Sequence, residues 1–385
     1  MVLISVCTIL VLLTLLTAAV RRVPCSADSL GFDNRMRYVT DGRLLLIFAL
    51  ILIATSSLRQ GFIDTYAYRI MYTSMAGDTS FVETNTWGIE AGWLYFLYFL
   101  NFISSNPQLM LFISAAVITA AYVLTAKKYS ADVCFSLLIY FCITYLNTNN
   151  GLRQYVAAAI TILAFPLLLK PNIKKVLLYM LCVLAAYQFH QSAWVCVLIM
   201  AVVLGKPLNF RVIVALGFCA AFLIFPGTVN DYIAEIFDES KYLYYLDYTA
   251  GMGALRALIT GVLPCVLAVS YIMKKRRTLE IIEYKESVLL NVLFINTIFV
   301  LMGLVMQYWA RFTFYTEFAP IVLMPKLICE FTGKKHYQTV SAVAVISYLF
   351  FFCYNVYVNI GYGSMDSFTA DWTWLRQITE VFKLW

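Results

Sequence analysis

Charge is scarce in this sequence. Only 13% of its residues are Asp, Glu, Lys or Arg, against roughly 25% in a soluble domain. That shortage excludes a sizeable soluble domain, because too few polar side chains exist to cover one. Histidine is scarcer still, with 2 in 385 residues. No P-loop, HExxH, GxSxG or DxD-type metal box occurs, which favours metal-independent chemistry and no cofactor. The 10 cysteines form no CxxC pair and no metal-ligand spacing. Most lie in apolar runs and read as small core residues. Internal repeats and low-complexity linkers are also missing, so residues 1–385 read as a single integral membrane domain.

What is present is apolar. The chain is 62% hydrophobic, with a mean hydropathy of +0.80. Most of its Lys and Arg residues fall into short clusters between long apolar stretches: Arg21/Arg22/Arg35/Arg37/Arg43, Lys127/Lys128, Lys170/Lys174/Lys175, Lys206/Arg211, Lys274/Lys275/Arg276/Arg277/Lys285 and Lys326/Lys334/Lys335. Short cytoplasmic loops collect Lys and Arg, so these clusters mark the inner side. The net charge of +7 is therefore split, positive inside and negative outside. Nucleic acid is excluded as a partner, because it would need a basic patch on one exposed domain.

A spanning helix needs about 20 mainly apolar residues. Alternating the basic loops predicts spans near residues 3–20, 44–58, 107–126, 133–146, 152–169, 176–189, 193–204, 212–225, 254–273, 288–306, 312–327 and 339–358. The first is expected to stay uncleaved with its N-terminus outside, because its Arg pair follows the apolar run. Residues 92–103 are too short to cross; counting them would invert every later loop. They are expected to be re-entrant or interfacial. The fold class expected is all-α, a polytopic membrane protein with about 12 transmembrane helices plus that segment. The outer face then carries loops 59–91 and 226–253 and a tail 359–385.

The basic residues left for the outer side are Arg59, Arg69, Arg153, Lys241, Arg256, Arg311, Arg376 and Lys383. Arg153 follows the Asn-rich string Asn147-Thr148-Asn149-Asn150-Gly151-Leu152 and precedes Gln154. Arg256 and Arg311 likewise sit where an outer loop enters an apolar helix. A snorkelling interfacial Arg is the ordinary reading. Three at one level also suit a pyrophosphate, which guanidinium binds bidentately. Glu317 lies at membrane depth, either pairing with an Arg or serving function. His190 is the outer histidine, a candidate for proton transfer or substrate contact. Asp64 is either a helix cap or a base, and Glu90 is a further acid. Tyr66, Trp87, Tyr244 and Tyr245 fit an aromatic belt or stacking on sugar rings.

At these residues the chain resembles the EpsG family, which looks related to Wzy-type polysaccharide polymerases. The resemblance rests on Asp64-Thr65-Tyr66, Glu90-Ala91-Gly92-Trp93, Arg153-Gln154 with Ala157-Ala158-Ala159, Phe189-His190-Gln191-Ser192-Ala193, and Arg311-Phe312 leading to Pro320. Two departures stand out: the family pattern often has Gly-Thr-Asp where this chain has Phe62-Ile63-Asp64, and Glu317 in the late helix is not expected of the family.

The resemblance implies a GT-C-like glycosyltransferase on the outer face of the bacterial plasma membrane, acting on polyprenyl (undecaprenyl) pyrophosphate-linked glycans as exopolysaccharide, capsule or O-antigen polymerases do. A growing glycan would pass to the hydroxyl of one lipid-linked repeat unit, and lipid pyrophosphate would leave. Arg153 and Arg311, with Arg256, would stabilise the leaving group. His190 would be the first candidate base, Asp64 the second and Glu90 the third. Arg59, Arg69, Gln154, Glu317 and the aromatics would contact substrate. The expected partners are the lipid-linked glycan, membrane lipid and a chain-length regulator protein. Two other readings remain: a ligase passing the glycan to a different acceptor, and a flippase or transporter.

Overall fold

The computed structural model describes residues 20–25, 30–31, 36–75, 88–227 and 253–361. Residues 3–19 of the predicted first span, Trp87, most of the loop 226–253 with Tyr244 and Tyr245, and residues 362–385 of the tail lie outside them. The described chain is mostly helical. It departs from an all-α fold in one place, an antiparallel pair of β1 (Arg21–Pro24) and β2 (Met36–Val39), registered Arg21 to Val39 and Pro24 to Met36. Four-residue strands carry too little periodic signal to be read from sequence. The pair is anchored by Tyr38, whose N–H donates to Ala131 O at 2.7 Å. Arg37 donates to the carbonyls of Lys128 (3.1 Å) and Lys127. A cation on the last carbonyls of a helix complements its dipole.

The helices are α1 (Gly42–Ser57), α2 (Thr65–Ser74), α3 (Ala91–Ile103), α4 (Gln108–Tyr129), α5 (Val133–Tyr140, prolonged by a π turn and Leu146–Thr148), α6 (Leu152–Ala164) and α7 (Ile173–Tyr187). They continue as α8 (Val195–Val203), α9 (Phe210–Ile224), α10 (Ala254–Ala257, a π turn and Leu263–Arg277), α11 (Tyr284–Met302), α12 (Gln307–Arg311), α13 (Phe318–Thr332) and α14 (Lys334–Gly361). Side chains cap several starts: Asp41 accepts from Arg43 N, Asp132 from Phe135 N, Asn172 from Lys175 N and Asn209 from Val212 N. Each satisfies an otherwise orphaned donor.

Length and apolarity qualify Gln108–Tyr129, Ala254–Arg277, Tyr284–Met302 and Lys335–Tyr357 to cross a membrane. A bent pair, Gln307–Tyr315 with Phe318–Thr332, makes a fifth candidate, broken by 73°. Continuous helix over residues 312–327 was the expectation, and the break at Thr316–Glu317 corrects it. Thr316 Oγ1 bonds back to Thr313 O at 3.2 Å, and Pro320 brings no N–H to the next turn.

The π turn in α10 has a similar cause. Pro264 cannot donate to Thr260 O, and Asn296 Nδ2 of α11 reaches that carbonyl at 3.0 Å. Thr297 Oγ1 covers Gly261 O at 3.2 Å.

The basic clusters gather at one end of the bundle. There Lys274 meets Glu330 at 3.0 Å, and β1–β2 covers the end of α4. Lys326 is the exception. Expected in a basic loop, it is buried inside α13, 2.6 Å from the equally buried Glu286 of α11, with the Tyr271 ring of α10 5.5 Å away. Lys326→Met is expected to lower stability by about 3–5 kcal/mol, because Glu286 is left charged and unpaired. Adding Glu286→Gln should restore much of it; thermal unfolding of the purified variants checks both.

α3 lies across the opposite end. Its start touches α7, where Trp93 N donates to Gln188 O at 3.0 Å. Its last turn touches α2, where Asn101 Nδ2 donates to Tyr72 O at 2.9 Å. Gly92 permits the first contact, since a Cβ there would stand 2.5 Å from Gln188 Cβ and 2.7 Å from Gln188 O. Gly92→Ala should therefore cost about 1–3 kcal/mol, read as a lower thermal midpoint.

Candidate functional site

The end of the bundle opposite the basic clusters is polar and densely connected. The α1–α2 turn, the start of α3, the α5–α6 turn, the α7–α8 turn and α12 all meet there. Asp64 sits at the start of α2, after two residues with positive φ, Phe62 at 131° and Ile63 at 44°. Such values are uncommon outside glycine and persist only where surroundings enforce them. The Gly of the family pattern would adopt this turn freely. Asp64 N donates to Asn150 Oδ1 at 3.4 Å, tying the turn to the lead-in of Arg153.

Arg59 holds the same turn from below. Its side chain is fully buried. Nε donates to Thr65 Oγ1 at 2.9 Å, and the terminal nitrogens donate to Asn149 Oδ1 at 3.0 Å, Asn149 O at 3.2 Å and Ser56 O. Expected to contact substrate, Arg59 instead ties α1, α2 and α5 together. Gln154 is also committed internally. Its Nε2 donates to Ser192 Oγ at 3.0 Å and Arg311 O at 3.1 Å, which fixes α6 against the α7–α8 turn and α12.

Ser192 is the hub of the imidazole's setting. Its Oγ lies 2.7 Å from His190 Nδ1 and 2.9 Å from Tyr315 OH, and its N–H donates to His190 Nδ1 at 3.2 Å. Accepting that N–H assigns the proton of neutral His190 to Nε2. Burial, with Arg153 and then Arg311 nearby, holds the His190 pKa down to about 3. Asp64 is shifted the other way: partial burial raises it, offset by Arg311 and Arg153. Glu90 joins Arg153 to Gln191 N beside His190, and Gln154 joins Arg311 O to Ser192. Asp64, His190, Arg153 and Arg311 share one site. Ser192, Tyr315 and Asn150 support it, and sequence reasoning assigned them no role.

Arg153 is ion-paired with Glu90, which precedes α3. The other Glu90 oxygen accepts from Gln191 N at 2.9 Å. Arg69 lies half-buried on α2, and Tyr66 is 69% exposed there.

The third arginine turns elsewhere. Arg256 Nη1 reaches Asn147 Oδ1 at 3.4 Å. Its guanidinium and Glu317 line a separate cleft with Thr260, Asn296, Ile139 and Met324. Glu317 is buried there and accepts from Tyr122 OH at 2.9 Å. Arg256 was expected beside Arg153 and Arg311; its hydrogen-bond partner is Asn147, and it lines a cleft with Glu317.

Fold and site together define a helical membrane protein with a cationic, hydrogen-bonded site at one end of its bundle. The EpsG family model matches residues 42–368. The chain belongs to the EpsG family, a Wzy-like polymerase family. That membership places it in polysaccharide biosynthesis. No curated protein and no solved structure matches it.

Proposed function

We propose that this protein polymerises polyprenyl-pyrophosphate-linked oligosaccharide repeat units, as a metal-independent glycosyltransferase of the bacterial plasma membrane with its site on the outer face. The observation that carries the reading is that hydrogen bonds join both arginines to the His190 turn: Arg153 through Glu90 to Gln191 N, and Arg311 O through Gln154 to Ser192, which holds the His190 ring. Basic loops at the far end orient that site outward by the positive-inside rule. The bundle of about 12 spans and its GT-C-like architecture belong to this proposal; four described helices, or five with the bent pair, are long and apolar enough to cross.

The acceptor hydroxyl of one lipid-linked repeat attacks the anomeric carbon of the growing glycan. A new C–O bond forms, the bond from that carbon to the diphosphate oxygen breaks, and lipid diphosphate departs. Arg153 and Arg311 stabilise the charge that develops on it. The hydroxyl proton passes to Asp64, whose raised pKa suits a base better than an ordinary Asp. With its pKa near 3, His190 is a weak base. It donates from Nε2 to a phosphate or sugar oxygen.

Purified full-length protein, reconstituted with lipid-linked repeat units and no energy source, tests the reading. A ladder of lengthened lipid-linked glycan is expected, with a chain-length regulator altering only its distribution. Glycan moved to a different lipid or protein identifies a ligase. Unchanged glycan overturns the glycosyltransferase assignment.

A further inference from the structure

The turn joining α10 to α11, at the basic end of the bundle, carries charge that the protein leaves unpaired. Four cations end α10 in a row: Lys274, Lys275, Arg276 and Arg277. Lys274 is engaged by Glu330 at 3.0 Å and Lys275 by Glu280. Further on, Lys285 pairs with Glu283 at 3.0 Å. Glu280 and Glu283 are thereby both neutralised, while the exposed Arg276 and Arg277 have no partner among the described residues. Arg277 borders a groove of about 450 Å³ with Ser270, Met273, Lys274 and Thr278. Leu263, Val266, Ser270, Met273 and Arg277 recur at three and four residues, so they share one face of α10, and its three apolar members are exposed. The turn itself holds apolar side chains outward. Glu280 N donates to Lys275 O at 3.0 Å and Leu279 N to Arg276 O at 3.4 Å, the two bonds of a Schellman cap, whose left-handed residue is usually Gly. Here it is Leu279, with φ at 55°. A branched side chain there is strained, yet Leu279 and Ile281 are each 90% exposed. The protein gains no packing from either.

We propose that this turn is a binding site for an anionic phospholipid of the phosphatidylglycerol type. Arg277, with Arg276 beside it, holds the phosphodiester, because guanidinium binds phosphate oxygens through paired hydrogen bonds. The Thr278 hydroxyl borders the same groove. One acyl chain lies along Met273, Val266 and Leu263. Leu279 and Ile281 enter the boundary between headgroups and chains, where an apolar side chain gains by leaving water. Cations beside an apolar helix face fit a lipid better than a soluble partner. A soluble partner would cover the arginines and leave the stripe that runs up the spanning helix. The site lies at the end of the bundle opposite Arg153 and is independent of the transferase reading.

Native mass spectrometry of the full-length protein in neutral detergent, titrated with phosphatidylglycerol and with phosphatidylcholine of the same acyl chains, tests this. The first phosphatidylglycerol should bind more tightly than the first phosphatidylcholine. Arg276→Gln with Arg277→Gln should weaken it about twentyfold, and the fold should stay intact because both side chains are exposed. Leu279→Gly relieves the left-handed residue, so the thermal midpoint should hold or rise while phosphatidylglycerol binding falls about tenfold. Arg21→Gln with Arg22→Gln, an exposed pair elsewhere in the basic clusters, should leave binding unchanged. Equal affinity for the two lipids, undiminished binding without Arg276 and Arg277, or an equal loss from the Arg21 and Arg22 change reduces the turn to ordinary surface charge and overturns the site. Unchanged binding in Leu279→Gly overturns the insertion of the turn.

Discussion

Arg153→Ala abolishes polymer while the protein still accumulates in the membrane. Removing one positioned charge from a leaving-group site costs about two to three orders of magnitude in turnover. Folding is little affected, because Arg153 is partly exposed and its partner Glu90 reaches solvent and Gln191 N once released. Arg311→Ala should lower turnover comparably, since Gln154 ties that residue to Ser192, which holds the His190 ring. Chain-length analysis of extracted polysaccharide, beside immunodetection in membranes, separates lost chemistry from lost protein. Polymer of near-normal length from Arg153→Ala rejects the role given to this residue.

Asp64→Asn should lower turnover by about 10²–10⁴-fold, the usual worth of a positioned base. The pH dependence carries a second signature. A base works as its carboxylate, so activity falls as pH drops through the Asp64 pKa. Burial raises that pKa above the ordinary Asp value, so the acid limb should begin at higher pH than for an exposed Asp, whose pKa is about 3.9. His190 adds nothing to the limb near neutrality, because its own titration lies near 3. Residual activity in Asp64→Asn should lack the limb. A pH–rate profile unchanged by Asp64→Asn would assign the base to another group.

Much of the candidate site is legible because charge is so rare in this chain. In a 13% charged sequence, an Arg at the mouth of an apolar run stands out, and Arg153 and Arg311 were found that way. His190 and Asp64 were found by their place in short motif-like strings at the same end. The fates of Arg59 and Arg256 were not legible. Arg59 binds Asn149, 90 positions away, and Arg256 shares its cleft with Glu317; neither separation leaves a local pattern. Lys326 was read from its neighbours Lys334 and Lys335, whereas its burial depends on Glu286 of another helix. Helix positions followed apolar run length. The hairpin and the 73° break did not, because four-residue strands carry too little period to read and the break rests on the Thr316 side chain and on Pro320.

The most direct measurement is an experimental structure of the full-length protein in a lipid nanodisc with a bound polyprenyl diphosphate. The account predicts diphosphate oxygens within hydrogen-bonding distance of both Arg153 and Arg311, with Asp64 open toward the acceptor side and Glu90 turned away. A diphosphate seated in the Arg256–Glu317 cleft, or among the basic loops at the other end, would contradict it.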